Sequence, residues 1–236
     1  MSNNSALDSF LGKWHQRWPE WSLVEPFIDV SRRAQVQAWF ALVQELEDIY
    51  TAGGDTTAVD AKLAWWGEEL RSWAGQRSRH PLGRVLDGVP APWMALAEAI
   101  ADLPAARAAM ATPALARTAL GSYAAALAAV EAVLFDLPVT PAAVEAVITQ
   151  TLAQRLVRGG EQAVPASIAR GDGAAAIKSW AAELLARWPL RCAGPRPRRV
   201  LALLLRLRVQ GLATERGLSP HAASVLLKAW WAARGR

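Results

Sequence analysis

Residues Lys62–Leu82 read KLAWWGEELRSWAGQRSRHPL. Leu63, Trp66 and Leu70 recur at three- and four-residue spacing, which is the signature of a helix with one apolar face. Val59 extends the stripe backwards, so the spacing predicts a helix over Thr57 to about Trp73. Glu68 and Glu69 are adjacent and point about 100° apart on a helix, so they cannot grip one ion together. His80 precedes Pro81, a pairing that suits a cap or turn before a new helix.

The same period spreads outward from this stretch. Ser31 to Thr51 carries Val36, Trp39, Phe40, Val43, Leu46 and Tyr50 at helical spacing. Helices are expected from about Ala91 to Ala101, over a short stretch around DLPAARAAM, and from Pro113 to about Phe135. Further helices are expected from Pro141 to about Val157, Gly173 to Arg187, Val200 to Arg216, and up to Ala233. Thr112-Pro113 and Thr140-Pro141 both read as an N-cap followed by proline at the first helical position. Strand-like alternation bounded by turns is missing. The expected class is therefore all-α, with roughly nine or ten helices in one domain spanning 1–236. Residues 1–28 read as an N-terminal extension, and the core lies at about 31–234.

The 236 residues are 53% apolar and 20% charged, a globular composition. Twelve tryptophans stand on an alanine- and leucine-rich background, which suits closely packed helices around a few bulky plugs. The best membrane-span candidate, Leu120 to Leu137, contains Glu131 and Asp136 and reads better as a core helix. A single cysteine, Cys192, leaves no internal disulfide and no thiolate cluster for a metal. A cytoplasmic setting is the simplest, with membrane association as an option.

The net charge of +5 is uneven. From Arg187 onward the balance is +10, against −5 for the rest. A basic end could meet an anionic membrane surface, nucleic acid or a diphosphate. Arg199 and Arg206 share a helix face, but intervening leucines leave no clean basic stripe, so nucleic acid is not favoured.

Several pieces fall in an order that resembles the squalene/phytoene synthase family. KLAWWGEEL followed by HPLGRVL is similar to the family's tryptophan-rich helix and His-Pro turn. SRRAQVQAWFALVQELEDI resembles the helix of its first aspartate-rich motif. GSYAAALAAVEAVLF resembles its tyrosine helix, ITQTLAQRLVRGGEQAVP its second motif, and SVLLKAWWAAR its closing helix. The resemblance implies an isoprenoid synthase-type helical bundle around a central cavity. It also implies an ancestral condensation of two prenyl diphosphates using Mg²⁺.

Carried over residue by residue, the motifs are degenerate. The first aspartate pair falls on Glu47 and Asp48, and its last aspartate on Thr51. In the second motif Gln150 matches, the asparagine falls on Ala153, and the Arg-Asp pair falls on Leu156 and Val157. The final acid is at best Glu161. Tyr123, Arg155 and Arg158 are the substrate-binding candidates, with the two arginines able to meet a phosphate directly. No confident catalytic residue and no metal ligand remains, so no cofactor is expected, and Mg²⁺ only if catalysis is retained. Such losses resemble the complex I assembly factor branch. The implied function is non-catalytic binding of an isoprenoid or lipid, or of a protein partner in assembly. The alternatives are an active prenyltransferase of squalene, hopanoid or carotenoid biosynthesis, and a basic peripheral membrane-binding protein.

Overall fold

The computed structural model describes residues 3–52, 56–108, 110–189, 191–214 and 222–234, and these residues contain helices and no strand. In chain order the helices are α1 (Asn3–Arg17), α2 (Trp21–Val24), α3 (Arg33–Thr51), α4 (Thr57–Trp73), α5 (Gly83–Leu86), α6 (Trp93–Ala99) and α7 (Leu103–Ala108). They continue with α8 (Pro113–Ala119), α9 (Gly121–Leu134), α10 (Pro141–Gly159), α11 (Gly173–Arg187), α12 (Arg196–Thr214) and α13 (Ala222–Ala233). Helices α3 and α10 form the middle of one bundle. α3 packs on α1, α4 and α10, and α10 packs on α9, α11 and α12. The apolar stripes account for this placement. Val36, Trp39, Phe40, Val43, Leu46 and Tyr50 of α3 are all buried, as are Leu63, Trp66, Leu70 and Trp73 of α4.

The helix starts follow local chemistry. Thr112 Oγ1 accepts from the Leu115 N–H, and Thr140 Oγ1 from the Ala143 N–H. The helix expected from Pro113 to Phe135 is broken. Leu120 donates to the Arg117 carbonyl in a tight turn, and α9 starts afresh at Gly121. Glycine is a poor helix former, and the offset turns Leu120 fully inward. The expected Val200–Arg216 helix instead starts at Arg196; Glu215 and Arg216 lie outside the described residues.

Among the described residues of the N-terminal stretch 1–28, Trp14, Trp18, Trp21, Val24 and Ile28 pack into the core. Trp14 and Trp21 sit edge to face at 4.9 Å, and both rings meet Phe40 of α3. Their buried indole N–H groups have no acceptor among the described residues. An unmade buried hydrogen bond costs about 1–3 kcal/mol, so these side chains are there for their volume.

The Lys62–Leu82 stretch is a structural clasp. Glu69, fully buried, accepts from the Trp73 indole (2.9 Å), the Arg79 N–H (2.7 Å), the His80 N–H (2.7 Å) and the Arg79 Nε (3.0 Å). Burial alone would raise its carboxyl, but these donors outweigh burial and hold it below its ordinary value. The loop after α4 is thereby folded back onto the helix. His80 then packs against Phe10 (4.4 Å) and Trp66 (4.6 Å), and its Nδ1 accepts from the Leu82 N–H. Burial lowers its imidazole to about 4, so it is neutral at pH 7. Gly83 closes the clasp, because a Cβ there would lie 2.7 Å from the Trp73 ring.

Glu69→Ala is expected to cost about 3–5 kcal/mol, since it strands several buried donors at once. Glu68 is exposed, so Glu68→Ala should change stability by under ~0.5 kcal/mol. Urea unfolding of the two variants checks both; equal costs would show that the clasp contributes nothing.

Candidate functional site

The expected first motif lies near the end of α3, facing α1 and α10. One of its two acids, Asp48, is already engaged. Asp48 receives both arms of the Arg17 guanidinium, at 2.6 and 3.3 Å, and an ion pair from Arg158 of α10. Glu45 is paired with Lys62 at 2.7 Å. Glu47 carries no such pair and lines a small internal space with Gln44, Gln150, Gln154 and Arg198. Loss of water lifts its carboxyl to about 7, against the pull of Arg198, Arg158 and Arg17.

That internal space lies between α1, α3, α10 and α12. Its volume is about 20 Å³, room for one water molecule and little more. Trp14, Trp18, Phe40 and Leu205 close it. Where a central cavity is expected, the space beside Glu47 is only water-sized, because the first helices supply bulky rings to this part of the bundle. The Oε1 atoms of Gln44 and Gln154 are buried in this region without a protein partner.

Below it runs a polar chain that joins four helices. Glu131 of α9 and Arg198 of α12 are almost wholly buried and meet in a fork, with Arg198 Nε 2.7 Å from both carboxylate oxygens. The Trp39 indole of α3 donates to the same carboxylate at 2.8 Å. Arg198 also donates to Gln150 Oε1 of α10 at 2.9 Å, and Gln150 donates to Cys192 Sγ at 3.1 Å. Burial would lower the Arg198 guanidinium, but Glu131 more than reverses this and raises it. Burial pushes the Cys192 thiol up to about 11, so it stays protonated. Glu131 and Arg198 carry no motif. The signal for them in the sequence is a lone acid inside an alanine-rich buried helix, which must find a cation.

The remaining expected residues are dispersed. Glu161 is exposed in the turn after α10, with its carboxylate against the first residue of α11. A Cβ on Gly173 would fall 2.3 Å from Glu161 Oε2, so a side chain there would displace the exposed Glu161 carboxylate. A helix N-terminus favours a carboxylate, which gives Glu161 a structural role. Tyr123 is fully buried, and burial drives its hydroxyl well above the ordinary range. The Arg155 guanidinium lies over the Tyr50 ring at 4.6 Å and donates to the Arg107 carbonyl. Among the candidates, Arg158 pairs with Asp48 and also pulls on Glu47, and Glu47 lines one small space with Gln150.

These residues do not fit a magnesium centre. Both Asp48 oxygens are on arginines, and the second motif offers Leu156 and Val157, whose side chains have no oxygen to give. Among the described residues no three His, Cys, Asp or Glu side chains form a group able to hold a metal ion. Also among them, no helix is long and apolar enough to cross a membrane.

Comparison with protein-family models, with curated proteins and with solved structures yields no match to this chain.

Two measurements test the centre. Arg198→Met should cost about 3–5 kcal/mol by leaving Glu131 buried and unpaired. Adding Glu131→Leu should return most of that loss, with a favourable coupling in a double-mutant cycle; additive costs would contradict the ion pair. Glu47 titrates near 4.3 in an unfolded chain and near 7 in the fold. Its protonated form therefore adds stability that is full below about 4.3 and is lost as pH rises through 7. Thermal unfolding should find Glu47→Gln gaining on the parent between pH 4.5 and 7.5; a difference independent of pH would refute the shifted carboxyl.

Proposed function

We propose that this chain is a non-catalytic binding protein on a squalene/phytoene synthase-like bundle. The observation that carries this reading is the clamp on Asp48. A carboxylate that must hold a cation for diphosphate chemistry is already neutralised by two guanidinium groups, Arg17 and Arg158. Releasing it would leave both arginines facing each other across one site, a like-charge arrangement that opposes opening.

The prenyltransferase alternative needs Glu47, Asp48 and Glu161 around one chain-sized cavity. Only a water-sized space adjoins Glu47, and Glu161 lies against the start of α11. Ionising an allylic diphosphate also needs a Lewis acid on its oxygens, and the motif positions supply no ligand set for one. The function left to such a bundle is to bind a lipid or isoprenoid at its surface, or to serve as a partner in assembly.

The test is incubation of the purified chain with farnesyl or geranylgeranyl diphosphate and Mg²⁺. Pyrophosphate release should stay at the rate seen without protein, for both the parent and Asp48→Ala. Release at an enzyme-like rate that Asp48→Ala abolishes would overturn the reading.

A further inference from the structure

A wide groove lies on the outside of the bundle, away from the Asp48 clamp. It is a groove of about 870 Å³ walled by α12, α13, the link from α9 to α10, and the segment before α12. Pockets that bury small ligands span roughly 300–1,000 Å³, so this one is of ligand size. From α12 the lining residues are Arg199, Ala202, Leu203, Arg206, Leu207 and Gln210. Their spacing of three, one, three, one and three makes a single helix face. From α13 come Leu227, Lys228, Trp230 and Trp231.

Two properties of the groove select a ligand. The first is length. The lined face of α12 from Arg199 to Gln210 runs about 16 Å at ~1.5 Å per residue. That matches one half of a hydrocarbon core about 30 Å thick, the reach of one lipid chain. Four exposed apolar side chains line it: Leu137, Leu227, Trp230 and Trp231 are 40–68% exposed.

The second is charge. The groove is lined by Arg191, Arg199, Arg206 and Lys228, while Glu131 is the one acid among its described lining residues. Glu131 is already committed to Arg198 and Trp39. Arg199 is spent on three backbone carbonyls, those of Gly194, Ala232 and Ala233, and ties α13 to α12. Arg191 lies over the Trp231 ring at 4.6 Å. Neither Arg206 nor Lys228 has a carboxylate partner among the described residues, and the buried Nε–H of Arg206 has no protein acceptor. A cation with an unanswered donor beside an apolar trough fits an acidic head attached to a chain.

We propose that this groove binds one molecule of a single-chain anionic amphiphile, its chain along α12 and its phosphate or carboxylate head at Arg206 and Lys228. This rests on the binding reading above and names the ligand class. The two fail separately: enzyme-like pyrophosphate release sinks the first, and the following titration sinks only the second.

The experiment is calorimetric titration of the full chain with dodecyl phosphate and with dodecanoate, each below its critical micelle concentration. Dodecyltrimethylammonium serves as the cationic control. Saturation at one amphiphile per chain is expected, at least 10-fold tighter for the anionic heads than for the cation. A preference between phosphate and carboxylate then tells a lipid headgroup from a free acid. The double variant Arg206→Glu with Lys228→Glu should weaken binding at least 10-fold. Leu203→Trp, which fills the trough from a half-buried position, should do the same with the charges intact, and circular dichroism establishes that each variant is folded. Absence of saturation, equal affinity for the cationic head, or indifference to both variants would overturn the proposal. So would flotation with vesicles of phosphatidylcholine and phosphatidylglycerol without monomer binding, which would make a bilayer surface the partner.

Discussion

The bundle depends on one buried ion pair, Glu131 with Arg198. Removing two charges from water costs several kcal/mol each unless every lone pair and proton is answered. Here the carboxylate takes Arg198 and the Trp39 indole, and the guanidinium goes on to Gln150. Because those partners come from α3, α9, α10 and α12, the requirement fixes the mutual register of four helices. A slip of any one would strand a charge in the interior. The pair also helps to fill the region beside Glu47, since Arg198 lies against the Phe40 ring at 5.6 Å and lines the water-sized space that remains.

Much of the fold was legible in the sequence because it rests on local rules. Period 3.6 placed the buried faces of α3 and α4, and Thr-Pro pairs placed the starts of α8 and α10. The break at Leu120 was not legible, because a single glycine in an alanine-rich run does not say whether it will interrupt the helix. The burial of Trp14 and Trp21 was missed for another reason. Nothing in residues 1–28 tells which distant surface they will cover, and that surface is the α3 face carrying Phe40.

The candidate site was legible in part. Asp48 stands in the sequence as a motif acid and Arg158 as a phosphate ligand; they do meet, but they answer each other. Glu69 shows the same limit. Adjacency to Glu68 argued correctly against chelation, yet its role as acceptor for the His80 turn depends on a loop that folds back, which no helical period encodes. The basic C-terminal region carries a balance of +10 without a clean basic stripe, and its sequence does not say where each cation goes. In the fold it divides, with Arg198 buried, Arg208 bound to Glu20 and stacked over Trp18 at 4.1 Å, and Arg199 holding carbonyls. Net charge cannot distinguish a cation spent inside from one left at a groove.

That division bears on where a ligand can go. An anion entering the centre would have to displace Asp48 or Glu131 from arginines already in register with them, and beside Glu47 it would find only a water-sized space. Beside α13 no ion pair of the described residues has to be displaced: Arg206 and Lys228 face a trough whose aromatic wall is open to solvent, and the one acid among its described lining residues is already neutralised. The two regions share α12, which turns Arg198 inward and Arg199 and Arg206 outward on one helix. The arginine that seals the interior therefore also sets the rotation of α12, and with it the outward placement of the cations at the groove.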